Sequence, residues 1–484
     1  MKAHLQVLSA DELTQIHERS LNLLATTGVR VLSERARRIL QAAGAEVNGT
    51  THIVRLPRSL VEESLRLAPR KFSLGGRRPG WDLEMNDGDC TLLADGGAVS
   101  VMDWETGDTR PGTPADWLAA THLIDTIDEI GIYWNMVEGG ISSNSPGGFV
   151  AYWHNVVKNC SKHIQDSTDS RQKSKWLLEI LQIAFGDRET IRRTHPFSYL
   201  VCPMSPLVID GPYTDAYLEL SGYDIPVAIM PMPLMGTTGP ASIISTLLLA
   251  NSEALAMLCL VQAAAPGTPV IYAPIPQTIE PHTWHYTGGA IENSLFGAAV
   301  TEIGRYYGLP VEASTGGTDQ YYPGAQASYE RAINWTLPSL AWPDILVGPG
   351  LLGGSTILCV EQLVLDVEIF RRVAHLAGGI ASDSEQWLEK SILDAGPGGN
   401  FMKQSSTSKA VREGAWYLSE IGFHDTYEKW RLAGMPDVID TLQETVKNIL
   451  DHYQPLPLDE NAERELERLE REANVMNSPQ ARPI

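Results

Sequence analysis

Trp284, Tyr286, Tyr321 and Tyr322 fall in two successive polar loops of a chain that is only 7% aromatic. Flat aromatic faces hold a quaternary ammonium by cation–π attraction, since such a cation has no N–H to donate. The same rings would also suit sealing the rim of a barrel or meeting another subunit. Beside them stand His285, which can meet a carboxylate when protonated, and Gln320, whose amide both donates and accepts. Glu138, Asp166 and Asp319 could each supply counter-charge, position substrate, or cap the helix that follows its loop. Tyr272 and the glycine run Gly348, Gly350, Gly353 and Gly354, where a ligand could come close to the backbone, complete the candidate set. The five cysteines are scattered singly, with no CxxC or Cys/His spacing, so no metal site is expected.

These residues need a scaffold that brings distant loops together, and the chain repeats one unit able to do so. Short apolar runs at 91–102, 131–138, 162–167, 197–203, 226–232, 269–274, 310–314 and 345–350 are each followed by a helical stretch. Eight strand–helix alternations is the count at which a parallel sheet closes into a TIM (β/α)8 barrel, an α/β fold. In that fold the candidate residues would share the loops after the strands. An open doubly wound sheet is the alternative, but neither a GxGxxG nor a P-loop pattern supports nucleotide binding there. Three regions are expected: an N-terminal helical extension over 1–80, the barrel over 81–380, and a C-terminal helical extension over 381–484. Ser9 is placed to cap the first helix, and the cluster Gly75-Gly76…Pro79-Gly80 marks the first boundary.

Composition narrows the partners. A formal charge of -22 over 484 residues opposes nucleic acid and anionic membrane surfaces, and mildly favours a cationic substrate. The most apolar stretch, 243–265, is interrupted by Asn251, Ser252, Glu253 and Gln262, which suits a buried helix better than a membrane span. The first twenty residues contain no apolar h-region, so no secretory leader is expected, and single cysteines suit a reducing cytoplasm.

Several ordered blocks carry a resemblance. The opening LSADELTQIHERSLNLLATTGVRV, the segment MGTTGPASIISTLLLANSEALAMLCLVQAAAPGTPVIYAPIP, the loop GGTDQYYPGAQASYE, the run GPGLLGGSTILCVEQLVLDVEIFRR and the tail GPGGNFMKQSSTSKAVREGAWYLSEIGFHDTYEKW are similar to blocks of the trimethylamine methyltransferase family. The resemblance covers most of the chain. It implies a TIM barrel that moves a methyl group from a methylamine to the cobalt of cobalamin, a corrinoid carried by a cognate partner protein. Trimethylamine-specific members contain pyrrolysine, expected in or beside 316–326, whereas this chain has ordinary residues throughout. Members without pyrrolysine resemble enzymes acting on betaines. A quaternary ammonium already carries a neutral tertiary amine as leaving group, so only binding, alignment and exclusion of water remain for the protein.

On that resemblance glycine betaine is the first expected substrate, followed by proline betaine, carnitine and γ-butyrobetaine. Trp284, Tyr286, Tyr321 and Tyr322 would face the ammonium, His285 or Gln320 the carboxylate, and Gly348–Gly354 the corrinoid. A homo-oligomer is expected from the helical additions. Two rivals stand beside this reading: a TIM-barrel lyase or hydrolase with Glu138 or Asp166 as general base, and a non-catalytic betaine-binding protein.

Overall fold

The computed structural model describes residues 5–139 and 145–476, and eight parallel strands in it form a closed ring. They are β1 Thr91–Leu93, β2 Ile130–Tyr133, β3 His163–Asp166, β4 Phe197–Val201, β5 Val227–Ile229, β6 Val270–Tyr272, β7 Glu312–Ser314 and β8 Ile345–Val347. Each pairs with the next in sequence, and β8 returns to β1. Between β6 and β7 the ring closes through a bridge from Tyr272 to Val311, where the Tyr272 N–H donates to the Pro310 carbonyl at 2.8 Å. Eight helices follow the strands: α1 Pro114–Thr126, α2 Pro146–Asn159, α3 Arg171–Phe185, α4 Pro212–Leu220, α5 Ile243–Ala264, α6 Ile291–Tyr307, α7 Ala325–Ala341 and α8 Val360–Ala377. The fold is the TIM barrel.

Strand periodicity decides what faces the axis. Ile271 and Ala273 point into the barrel with Leu93, Ile132, Leu200, Ala228, Ile345 and Val347, so Tyr272 between them must point out toward the helices. The hairpin Ser73–Leu74/Leu83–Glu84 adds Leu74 and Met85 to this cluster. The strands are shorter than their apolar runs, and at the first two the difference bears on the site. The first ends at Leu93, and the chain turns through Gly97 in a left-handed conformation; Ser100–Met102 then pairs with Ile357–Leu358 outside the barrel. The second ends at Tyr133. Both breaks turn residues that read as strand interior into strand-tip loop.

The additions brace the ring. Helix Ala10–Thr26 begins with a Ser9/Glu12 capping box, and together with Arg58–Leu67 it packs on α5. That contact explains why α5, apolar enough by composition to cross a membrane, lies 78% buried within the protein. Helix Val438–His452 packs on α8 and α1, and Glu460–Met476 packs on α2 and α3. The helices between, Glu389–Ala395, Ser405–Arg412 and Tyr427–Leu432, bury no residue.

Candidate active site

At the strand tips a cavity of about 420 Å³ is lined from the loops after β1, β2, β5, β6, β7 and β8. Asp95 enters it from the first loop. Its Oδ1 accepts the Gly96 N–H at 2.9 Å, and its Oδ2 accepts the Ser355 hydroxyl at 2.6 Å. Burial pushes the Asp95 carboxyl above the usual range, while the Ser355 bond, the nearby Arg331 charge and the Gly96 N–H oppose the shift. Trp134 lies flat against Gly96, so close that a Cβ there would come within 2.5 Å of the indole. Tyr286 forms another aromatic wall, and its ring packs on the backbone of Gly354. Met230, Met232, Leu234 and Ile275 supply an apolar side; Gln277, Ser314 and Ser355 are its neutral polar groups. Asp95 is the one charged residue in the lining, and no lysine, arginine or histidine belongs to it among the described residues.

The loops that carry this lining are fastened from behind. Arg331, on α7 and fully buried, donates to the carbonyls of Gly316, Gly348 and Leu351, and faces Asp366 across 3.6 Å. Asp366 in turn accepts the Gly350 N–H at 2.8 Å and the Gln362 amide at 2.7 Å. A buried guanidinium placed this way fixes the seventh and eighth loops together, and removing either charge would strand the other. Asp319 ties the sixth loop to the seventh, accepting the Thr287 hydroxyl and, at 2.8 Å, the Gly288 N–H. Glu330 holds the same turn through Thr318 at 2.5 Å and the Asp319 N–H at 3.0 Å.

Inside the barrel a polar row crosses from β7 to β3 and β4. Gln165 donates to Glu312 Oε2 at 2.9 Å, Ser198 donates to Gln165 at 2.9 Å, and His163 joins Ser198 and the Gly75 carbonyl at 2.9 Å each. Burial pushes the Glu312 carboxyl up to about 7 and the His163 imidazole down to about 4. Glu312 Oε1 has no partner among the described residues.

Of the residues singled out in the sequence, the structure brings Tyr286 and Gly348 to the cavity wall. Trp284 and Tyr321 lie outside that lining, 64% and 65% exposed, with His285 also on the surface. Tyr322 packs against Trp104, ring centroids 5.5 Å apart. Gln320 turns its Oε1 back to the Tyr321 N–H at 2.8 Å. Tyr272 faces away from the axis, and its hydroxyl donates to Asn251 at 2.8 Å. The space beside Gly350 is filled by Met136 and Leu363, and that beside Gly353 by the Tyr321 ring. Glu138 and Asp166 belong to a neighbouring cavity of about 290 Å³ that shares Trp134 as a wall. Burial there lifts the Asp166 carboxyl to about 7. Asp95, Trp134 and Ser355 were not singled out from sequence. Asp95 and Ser355 each adjoin a glycine pair, Gly96-Gly97 and Gly353-Gly354, the mark of a tight loop.

The family model described as trimethylamine methyltransferase (MTTB) matches residues 1–475. The chain belongs to the trimethylamine methyltransferase family. It is a methyltransferase. A trimethylamine methyltransferase of Desulfitobacterium hafniense is 28% identical over 455 residues, covering 93% of this chain and 90% of that relative. The one from Methanosarcina barkeri is 27% identical over 471 residues, covering 96% and 94%. A glycine betaine methyltransferase of Desulfitobacterium hafniense is 26% identical over 471 residues, covering 95% of each chain. Among solved structures, the monomethylamine methyltransferase of Methanosarcina barkeri aligns with a TM-score of 0.46 at 13% identity, over 96% of this chain and 92% of that one.

Proposed function

We propose that this family member transfers a methyl group from a quaternary ammonium compound to cob(I)alamin presented by a cognate corrinoid protein. The observation that carries the reading is the lining of the strand-tip cavity: one carboxylate, two aromatic walls, two thioethers and no basic side chain. Such a chamber suits a cation that cannot donate hydrogen bonds. Trp134 and Tyr286 would face the onium, with Asp95 as counter-charge. Gly96 and Ser355 hold that carboxylate in one orientation, and the Arg331–Asp366 pair keeps the loops of the mouth in place, so the methyl carbon is presented without reorganisation.

In the transfer the C–N bond breaks, the nitrogen keeps the electron pair as a neutral tertiary amine, and the methyl carbon passes to cobalt. The chain's own task is alignment and exclusion of water. The surroundings of the mouth favour a flat, apolar acceptor. A further groove of about 410 Å³, lined by Leu32, Pro203, Met204 and Tyr213, adjoins the Glu138/Asp166 cavity through Ser167 and Tyr213, and Met204, Tyr213 and Met232 are each about half exposed. Apolar surface of this kind marks a docking face. Gly348 opens on the cavity itself, whereas Gly353 and Gly354 are small for the sake of Tyr321 and Tyr286. Glycine betaine, named for one relative, is the reference substrate. The five cysteines are unpaired thiols, in keeping with a cytoplasmic setting.

The apolar segment 380–435 supports self-association. Ile380, Trp387, Leu393, Met402, Leu418 and Leu432 are exposed along it, large apolar side chains that a second copy could cover.

Incubation with cob(I)alamin and a panel of quaternary amines tests the function; the expected result is methylcobalamin absorbance that depends on both. One second reading has an observation behind it. Asp166, lifted to about 7, is suited to general-base chemistry in the neighbouring cavity, and a lyase of that kind would turn over without corrinoid.

A further inference from the structure

A methyl donor that arrives as a quaternary onium leaves as a different kind of cation, and the neighbouring chamber suits the second kind. When the C–N bond breaks, as proposed above, the tertiary amine is a stronger base than any carboxylate and takes up a proton from neutral water. The product then carries one N–H where the donor had none. The cavity of about 290 Å³ that shares Trp134 with the first is walled by Trp117, Trp134, Phe149, Tyr152, Trp153 and Tyr213, a denser aromatic lining than Trp134 and Tyr286 give its neighbour.

The two chambers also differ in how their carboxylates are occupied. Each Asp95 oxygen already accepts a bond, from Gly96 or Ser355, and the Arg331 charge acts on the group. Asp166 Oδ1 accepts the Ser167 N–H at 2.7 Å, but its Oδ2 accepts from no donor among the described residues, and the side chain is only partly buried in the chamber wall. Burial lifts this carboxyl to about 7, and no described cation acts on it to bring it down. The Tyr152 hydroxyl lies near Asp166, also without a partner among the described residues. Lys173, the one basic side chain in the lining, pairs with Asp169 at 2.8 Å and lies over the Phe149 ring. Glu138, at the exposed edge, adds further negative charge. An unpaired carboxylate in an aromatic enclosure is matched by a cation that can donate to it. We infer that this second chamber binds an N–H-bearing methylated ammonium, the form in which the demethylated amine leaves, with Asp166 accepting the N–H and the Trp134 indole shared between the two sites. The ligand's identity as product rests on the methyl-transfer reading; the site itself rests on the lining.

Calorimetric titration of the full chain without corrinoid tests this at about pH 8, where both the amine and an unpaired Asp166 carry charge. Trimethylammonium is compared with tetramethylammonium, which has a methyl in place of the N–H. Trimethylammonium should still bind when the protein is saturated with tetramethylammonium, its Kd raised less than about threefold. Asp166→Asn should weaken trimethylammonium at least about tenfold, the loss of one charge-assisted hydrogen bond, and tetramethylammonium less than about twofold. Asp95→Asn should do the reverse. Tyr213→Ala, at a half-exposed wall position, should weaken trimethylammonium about threefold and carries the test should the Asn variant not fold. Competition of the two cations for one site, or affinity for trimethylammonium unmoved by these changes in the second chamber, would overturn the inference and leave the methyl-transfer reading standing. If the cations bind in the expected pattern but no onium yields methylcobalamin, the methyl-transfer reading falls and the second site survives.

Discussion

Replacing Asp95 with Asn removes the one charge in the cavity lining while keeping the side chain's shape and its contact with the Gly96 N–H. An onium nitrogen about 5 Å from a carboxylate, at the effective dielectric of a partly open site, is held by about 3 kcal/mol. Lost entirely, that is a weakening of about 200-fold; with screening through the open mouth, about 30-fold. The assay is the onium KM in methyl transfer together with its calorimetric Kd, and both should rise by the same factor while kcat changes little. Acidification should mimic the substitution. Burial raises the Asp95 carboxyl, so its protonation as pH falls removes the counter-charge at a higher pH than for an ordinary aspartate. Affinity of the native protein should therefore drop on the acid side, while the Asn variant stays flat. A change in KM under about threefold, with native denaturant stability, would refute Asp95 as the counter-charge.

Trp134→Leu should raise KM about tenfold, the loss of roughly 1–2 kcal/mol of desolvated cation–π contact, and a KM unmoved by the change would take the indole out of the site. Glu312→Gln tests the buried floor. Its folded carboxyl titrates at about 7, above the unfolded value, so the folded state keeps the extra proton between the two and loses stability as pH rises. Urea melts of the Gln variant should show a gain of about 2–4 kcal/mol at pH 8 and almost none at pH 4.5; equal melts at both pH values would contradict the assignment. Leu393→Glu combined with Leu432→Glu, on the exposed apolar segment, should shift light-scattering mass toward the monomer, and an unchanged mass would place self-association elsewhere.

The scaffold was legible because its signals are local and repeated. Each barrel strand leaves a short apolar run with a helical stretch behind it, as after 310–314, where α7 runs from Ala325 to Ala341. The boundaries that matter for function were less visible. Thr91 to Met102 reads as one apolar strand, yet Gly96-Gly97 lets the chain leave the barrel after Leu93, and this makes Asp95 a loop residue. Trp134 was hidden the same way, one residue beyond β2. Conversely, Trp284 and Tyr321 stand out in sequence because they are aromatic and in loops, but loop membership fixes neither direction nor depth. Tyr286, two residues after Trp284, turns inward and Trp284 outward, a difference set by the Ile279–Tyr286 pairing of the short outer sheet. Arg331 shows the remaining limit. A lone arginine mid-helix reads as solvated surface, and only tertiary packing shows it gripping the carbonyls of two catalytic-end loops.

The most direct test follows the methyl group itself. Trideuteromethyl-labelled choline and glycine betaine, incubated with the protein and cob(I)alamin, should yield cobalamin that has gained the intact CD3 group by mass spectrometry, along with an equal amount of the demethylated amine. Label remaining wholly on the amine, or amine breakdown at the same rate without corrinoid, would contradict methyl transfer as the work of this barrel.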